Sequence, residues 1–230
     1  MTRKILTWKR RQRMKLWLAR LHLIVLNYSG LERRKILGLV RRVSAETHLG
    51  MDCIEGCQLY MAVIKTAKVE GDVAEVGVYR GGSAKIICEA KGSKTLHLFD
   101  TFEGIPEVDI IDAPNFKKGE WTGSLEQVQM LLKDYRGVQY YKGLFPETAG
   151  LVRDRYFSFV NLDVDTFKST SDCLAFFYSH MAPGGVIVTH DYQWAAGVKN
   201  AVDKFFADKP EPVLELVGSQ CVVVKTGGDL

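Results

Sequence analysis

The stretch DVAEVGVYRGGSAKIICEAKGSKTLHLFD, Asp72 to Asp100, decides the fold. DVAEVGV is short and rich in valine, as a buried strand is; YRGGS is a glycine-bearing turn, and SAKIICEAK reads as a helix. TLHLFD then returns as an apolar strand that ends on an acid. Strand, glycine turn, helix and acid-terminated strand together open a doubly wound parallel sheet that holds a nucleoside. Gly77 permits the tight turn and a close approach of ligand to backbone. Gly81 and Gly82 expose the N–H groups at the start of the helix, an end that favours a carboxylate or phosphate. Alone, such a glycine pattern is equally a plain turn. Asp100 can accept hydrogen bonds from both ribose hydroxyls, or it can serve as a helix cap or Asx turn.

Working outward, Met51, Ile54, Leu59, Ala62, Val63 and Ile64 recur at mostly helical spacing and predict one helix from about Glu46 to Val69. After Asp100, residues 101–124 are broken by Gly104, Pro106, Pro114, Gly119 and Gly123, and a loop of that length in a compact domain suggests a lid over a ligand. Ser124 is placed to cap a helix to Lys133, with Gln127 at the capping-box position. VQYYKG, RDRYFSFVNLDVD, a helix from Ser171 to His180, and GGVIVTHDY continue the alternation. VLELVG and QCVVVK are spaced to form an antiparallel pair at the end of the sheet. The expectation is an α/β fold: a doubly wound, mainly parallel sheet with an antiparallel last strand and an N-terminal helical extension.

At 230 residues and 47% hydrophobic content the chain can bury one substantial core. Its five cysteines are odd in number and scattered, which suits reduced thiols in a cytoplasmic protein better than a disulfide framework. The net charge of +4 conceals an asymmetry: residues 1–42 carry 13 Lys/Arg and the single acid Glu32, while the rest carries 18 Lys/Arg against 26 acids. Residues 1–43 are therefore expected to be a basic extension and 44–230 the catalytic-type domain. Such an arm can meet an anionic membrane, a nucleic acid or its own body. LWLARLHLIVL, Leu16 to Leu26, is too short to span a bilayer and reads as an amphipathic helix lying on a cytoplasmic membrane face, on the domain or across a dimer interface. The arm lacks the interleaved aromatics that stack bases, which argues against nucleic acid.

In FVNLDVDTF, Asp163 and Asp165 stand at i and i+2, so an extended strand would aim both carboxylates to one face. Like charges so placed repel unless a cation or a proton separates them. The next strand ends in His190 and Asp191. Four such groups at two neighbouring strand ends make a divalent-cation site, or alternatively a salt-bridged cluster.

Taken together, VAEVGVYRGGSAKII, LHLFDTFEGIP, GSLEQV, GLFPET, FVNLDVDTFKST and PGGVIVTHDY resemble the macrocin O-methyltransferase (TylF-type) family of class I S-adenosylmethionine-dependent methyltransferases. The resemblance runs from about Met51 to Lys225 and leaves out the basic arm. It implies a seven-stranded sheet, S-adenosylmethionine, a divalent metal (magnesium or manganese) and a sugar, natural-product or glycan hydroxyl as acceptor. It also makes a homo-oligomer an expectation. Carried over by position, Glu75, Gly77 and Gly81, flanked by Gly82 and Ser83, shape the methionine end of the cofactor site. Asp100, followed by Thr101, holds the ribose. Trp121 and Ser124 lie beside the adenine, or else serve as core packing and a helix cap. Asp163 and Asp191 are metal ligands, with Asp163 also bordering the cofactor, and Asp165 is the general base.

One departure stands out. The family shows two adjacent acids before the tyrosine, and here His190 takes the first place. Imidazole weakens a site for magnesium and suits manganese, iron or zinc. His190 can ligate the metal, act as the base, or orient Asp191 from behind. Two other readings of the pattern are a glycosyltransferase that holds a nucleotide sugar through Asp-x-Asp, and a binding protein that kept the fold without turnover.

Overall fold

A computed structural model of the chain describes residues 30–227. The apolar stretch Leu16 to Leu26 lies outside the described residues. Seven strands form one sheet: β1 Asp72–Val76, β2 Leu96–Asp100, β3 Val138–Lys142, β4 Phe157–Leu162, β5 Met181–Thr189, β6 Leu214–Glu215 and β7 Cys221–Val224, in the order β3-β2-β1-β4-β5-β7-β6. The pairings among β1 to β5 are parallel, while β7 runs antiparallel to both β5 and β6. The fold is thus the doubly wound α/β sheet with a reversed strand that the sequence predicts.

Both faces of the central strands β1, β2 and β4 are covered, which is why these strands are almost wholly buried. Helices α1 Leu31–Glu46, α2 Cys53–Lys65 and α3 Gly82–Ala90 bury Val40, Cys57, Leu59 and Ile86 against Val73, Leu96, Leu98 and Phe159. On the opposite face α5 Phe167–His180 and α6 Ala196–Phe206 bury Leu174, Phe177, Val198 and Val202 against Ala74, Val76, Phe99 and Val160. Helix α4 is Leu125–Leu131. No disulfide joins the five cysteines.

The helix expected from about Glu46 to Val69 forms over the shorter span Cys53–Lys65, and Glu46 is instead the last residue of α1. The Asp52 carboxylate accepts from Ile54 N and Glu55 N while Glu55 reaches back to Asp52 N, so a complete capping box restarts the chain at Cys53. Helix α1 runs across the expected boundary at 43/44, with Ile36, Leu37, Val40 and Val43 buried and Arg33, Arg34, Arg41 and Arg42 exposed. Helix α5 begins four residues before Ser171. Thr166 caps it through Ser169 N, and the buried Asp112 accepts from Phe167 N at 3.1 Å. Helix α4 stops at Leu131, short of Lys133.

The topology positions the site. The chain winds outward from β1 through β2 to β3, then returns to β4 on the other side of β1, so the order reverses between β1 and β4. Ligands bind beyond the carboxyl ends of strands at such a switch point. Asp163 N donates to Val76 O there at 2.9 Å. Gly77 has φ +89°, and a Cβ on it would lie 1.8 Å from Asp163 O. Only glycine lets the two strand ends approach so closely.

Candidate active site

A cavity of about 980 Å³, its open mouth included, lies at the switch point. At one end Gly77, Tyr79, Ser83, Asp100, Thr101 and Trp121 line it, and at the other Asp163, Asp165, His190, Asp191 and Trp194 do. Of the five non-glycine described residues with positive φ, four are in this lining: Tyr79, Trp121, Asp165 and Asp191. Left-handed backbone comes more readily to aspartate but is costly for Tyr79 and Trp121, where it persists because surrounding structure enforces it, typically at functional sites.

Asp100 is bound from three sides by backbone. Its Oδ2 accepts from Val78 N at 2.6 Å and Tyr79 N at 2.8 Å, and its Oδ1 from Phe102 N at 2.6 Å. The carboxylate therefore ties β2 to the glycine turn and also forms the Asx turn. A carboxylate has about four lone-pair sites, so acceptor capacity is left for a ligand hydroxyl. Thr101 Oγ1 donates to Gly104 O at 3.0 Å. Trp121 and Tyr79 meet edge to face at 5.3 Å, with His48 5.7 Å from Tyr79.

Other expected residues stand outside the lining. Glu75 is fully buried in β1, where Oε1 accepts from Asn161 Nδ2 at 2.9 Å. Burial, opposed by the Asn161 amide and the neighbouring Ser83, pushes its carboxyl up to about 8. Gly81 supplies the left-handed turn into α3, and a Cβ on Gly82 would meet Leu49 Cα at 2.8 Å. Both glycines serve the turn and helix packing. The Ser124 hydroxyl accepts from Gln127 N at 3.3 Å, so this residue caps α4 and does not line the cavity. The loop 101–124 is pinned by Ile105 N to Glu120 O and Gly119 N to Ile105 O, both at 2.9 Å. Ile105 and Phe116 are buried in the core.

The acidic end is not built by strand alternation. Strand β4 stops at Leu162, and Asp165, with φ +66°, lies in the turn before α5. Its carboxyl is pushed well above the usual range by burial and by the neighbouring Asp163 and Asp191. His190 Nδ1 lies 3.1 Å from Asp163 Oδ1 and 2.9 Å from Asp191 Oδ1. Neither approach meets hydrogen-bond geometry, so this buried nitrogen has no hydrogen-bond partner. On the far side of the ring, Nε2 lies 3.5 Å from Glu55 Oε2. Burial disfavours the imidazolium, but Asp163, Asp191 and Glu55 outweigh it and raise the His190 pKa far above normal. Burial likewise opposes ionisation of Glu55, and His190 with two backbone N–H groups brings it down to about 2.

Ligand atoms of Asp163, His190 and Asp191 come within 4.8 Å of one another. Two carboxylates and a buried, unpartnered imidazole nitrogen converging on one point fit a divalent ion. Sequence reasoning missed Glu55, Tyr79, Ser219 and Trp194. The D-x-x-E capping box was the available signal for Glu55. Ser219 gave none, being brought in by the turn between β6 and β7. Trp194 Nε1 donates to Asp191 Oδ1 at 2.5 Å, holding a half-exposed indole beside the acidic cluster.

The O-methyltransferase NovP has a similar solved structure, with TM-score 0.67 and 24% identity over 75% of this chain and 80% of that one. An O-methyltransferase from Bacillus cereus in complex with SAH has TM-score 0.55 and 16% identity over 83% and 91%. The chain is 28% identical over 164 residues to a Streptomyces olivaceus 8-demethyl-8-(2,3-dimethoxy-alpha-L-rhamnosyl)-tetracenomycin-C 4'-O-methyltransferase, 64% of this chain and 63% of that enzyme. It is 26% identical over 180 residues to the demethyldecarbamoylnovobiocin O-methyltransferase of Streptomyces niveus, covering 71% and 69%. The family model for Macrocin-O-methyltransferase (TylF) matches residues 6–223, so the likeness reaches into the basic arm, contrary to the sequence reading. The chain belongs to the macrocin O-methyltransferase (TylF) family.

Proposed function

We propose that this protein transfers a methyl group from S-adenosylmethionine to a hydroxyl of a sugar or sugar-bearing natural product, with a divalent ion at the acidic end of the cavity. The observation that carries this reading is that one cavity joins the Asp100 end to the Asp163, Asp165, His190 and Asp191 end in a chain of this family. The sugar-modifying relatives supply the acceptor class.

The chain's own groups divide the work. Gly77, Ser83, Asp100, Thr101 and Trp121 bind the nucleoside and amino-acid parts of the cofactor, with Asp100 facing the ribose. Asp163, His190 and Asp191 hold the ion. Asp165 takes the hydroxyl proton onto its carboxylate. When bound, S-adenosylmethionine supplies an electrophilic methyl, and the ion lowers the proton affinity of the attacking hydroxyl. Trp194, half-exposed at the mouth, offers an apolar face to the acceptor.

Calorimetric binding of S-adenosylhomocysteine tests the reading, with and without magnesium or manganese. Binding is expected in either case, is lost in Asp100→Ala and weakens about tenfold in Trp121→Ala, given typical aromatic contact energies. No binding by the folded protein under any condition overturns it. Binding without methyl transfer to any hydroxylated acceptor, metal present, points to a protein that kept the fold without turnover.

A further inference from the structure

Glu55 stands in α2, far from the four strand-end residues in sequence, yet it is 6% exposed and reaches their back side. Its Oε1 accepts from Ser219 N at 2.7 Å and Ser219 Oγ at 2.8 Å, and its Oε2 from Asp52 N at 2.9 Å. A Cβ on Gly218 would lie 2.6 Å from Oε1, so the turn between β6 and β7 closes tightly over the carboxylate. Ser219 Oγ in turn accepts from Asp191 N at 3.3 Å. Glu55 is thus fixed by three donors and touches both consecutive residues of the strand-end pair, His190 directly and Asp191 through Ser219.

A helix cap alone needs only the bond to Asp52 N. The additional reach to His190 Nε2, at 3.5 Å, has a chemical consequence. In the neutral ring that a metal ligand requires, a carboxylate on one nitrogen fixes the N–H there and turns the lone pair of the other nitrogen outward. That other nitrogen is Nδ1, which is buried, without a hydrogen-bond partner, and sits between Asp163 Oδ1 and Asp191 Oδ1.

Resting on the metal site proposed above, we propose that Glu55 is a positioning residue that presents His190 Nδ1 to a divalent ion. The site then has one nitrogen and two carboxylates, and it selects a manganese- or iron-type ion over magnesium. Magnesium prefers an all-oxygen octahedron and sheds water reluctantly, whereas imidazole is an ordinary ligand for the later divalent ions.

The test reads the ligand directly. Manganese(II) is bound to the full-length protein at pH 8, and electron spin echo modulation reports whether a nitrogen-14 nucleus is coordinated; magnesium and manganese affinities are measured by calorimetry. Nitrogen modulation is expected in the wild type and absent in His190→Asp, which also regains magnesium affinity. Glu55→Gln is expected to weaken manganese binding 10- to 100-fold, with S-adenosylhomocysteine binding retained. Because Glu55 also caps α2, thermal melting accompanies that variant, and the wild-type spectrum does not depend on it. Manganese bound without nitrogen modulation, equal affinity for the two ions, or no metal binding at all overturns the inference. With S-adenosylhomocysteine still bound, the first two outcomes leave the proposed function standing and the third removes only the ion from it, whereas loss of cofactor binding sinks that reading instead.

Discussion

Asn161 Nδ2 donates to Glu75 Oε1 at 2.9 Å across neighbouring strands, directly opposite in register, in a site with no solvent exposure for either residue. The second oxygen of Glu75 and the amide oxygen of Asn161 have no hydrogen-bond partner. Burial is the largest influence on this carboxyl and holds its pKa near 8. An acid whose folded pKa is raised is stabilising while protonated. Its contribution is complete below the unfolded value of 4.5 and is lost as pH rises toward 8.

The first prediction follows from that sign. Urea unfolding between pH 5 and 8.5 should show wild-type stability falling with pH, by on the order of 3–4 kcal/mol from this group. Glu75→Gln, neutral at every pH, should flatten that part of the slope. An unchanged slope in the variant would mean that Glu75 is already ionised in the folded protein.

Glu211 predicts the opposite slope. It is buried, accepts from Tyr178 OH at 2.8 Å and from Lys225 Nζ at 3.0 Å, and takes two further bonds from Thr226. Burial opposes its ionisation, but these partners lower it to about 2. Its contribution is therefore present above 4.5 and fades as pH falls toward 2. Glu211→Gln should cost about 2–3 kcal/mol at pH 7 and nothing near pH 2, measured by chemical denaturation.

Gly77→Ala should be severely destabilising, by more than about 3 kcal/mol, or should abolish soluble expression. The new Cβ would meet the backbone oxygen of Asp163, which cannot move without opening the β1–β4 ladder. A soluble variant with wild-type melting temperature would contradict the close approach of the strand ends.

Asp165→Asn keeps the shape of the turn and removes the base. On the proposed mechanism it should lower kcat by roughly 100- to 10,000-fold, with S-adenosylhomocysteine affinity within about twofold of the wild type. Retention of kcat would move the proton to another group.

Removal of the basic arm separates two roles. A chain starting at residue 44 should lose several kcal/mol, because burying each of Ile36, Leu37, Val40 and Val43 is worth roughly 1.5–3 kcal/mol before helix ordering is counted. A chain starting at residue 30 keeps those four buried side chains, and so it is the fair partner for vesicle flotation. If it floats with anionic vesicles as well as the full chain does, residues 1–29 do not target membranes. No helix among the described residues is long and apolar enough to cross a membrane.

The sequence by itself determined the sheet, its reversed strand and the residues at its carboxyl edge. Valine-rich runs closed by glycine and acid carry that information locally, and no distant contact is needed to read it. Asp100, Asp163, Asp165, His190 and Asp191 were legible for the same reason, since each ends a strand or follows one closely. Tertiary structure alone decided how those groups are arranged. Asp163 and Asp165 meet through a left-handed turn and not by strand alternation, and Ser124 spends its hydroxyl on a helix end. Glu55 and Ser219 reach His190 and Asp191 only because α2 and the β6–β7 turn pack against the end of β5. A hydrogen bond between groups 135 residues apart leaves no periodicity in the chain, because its geometry is set by the packing of whole elements.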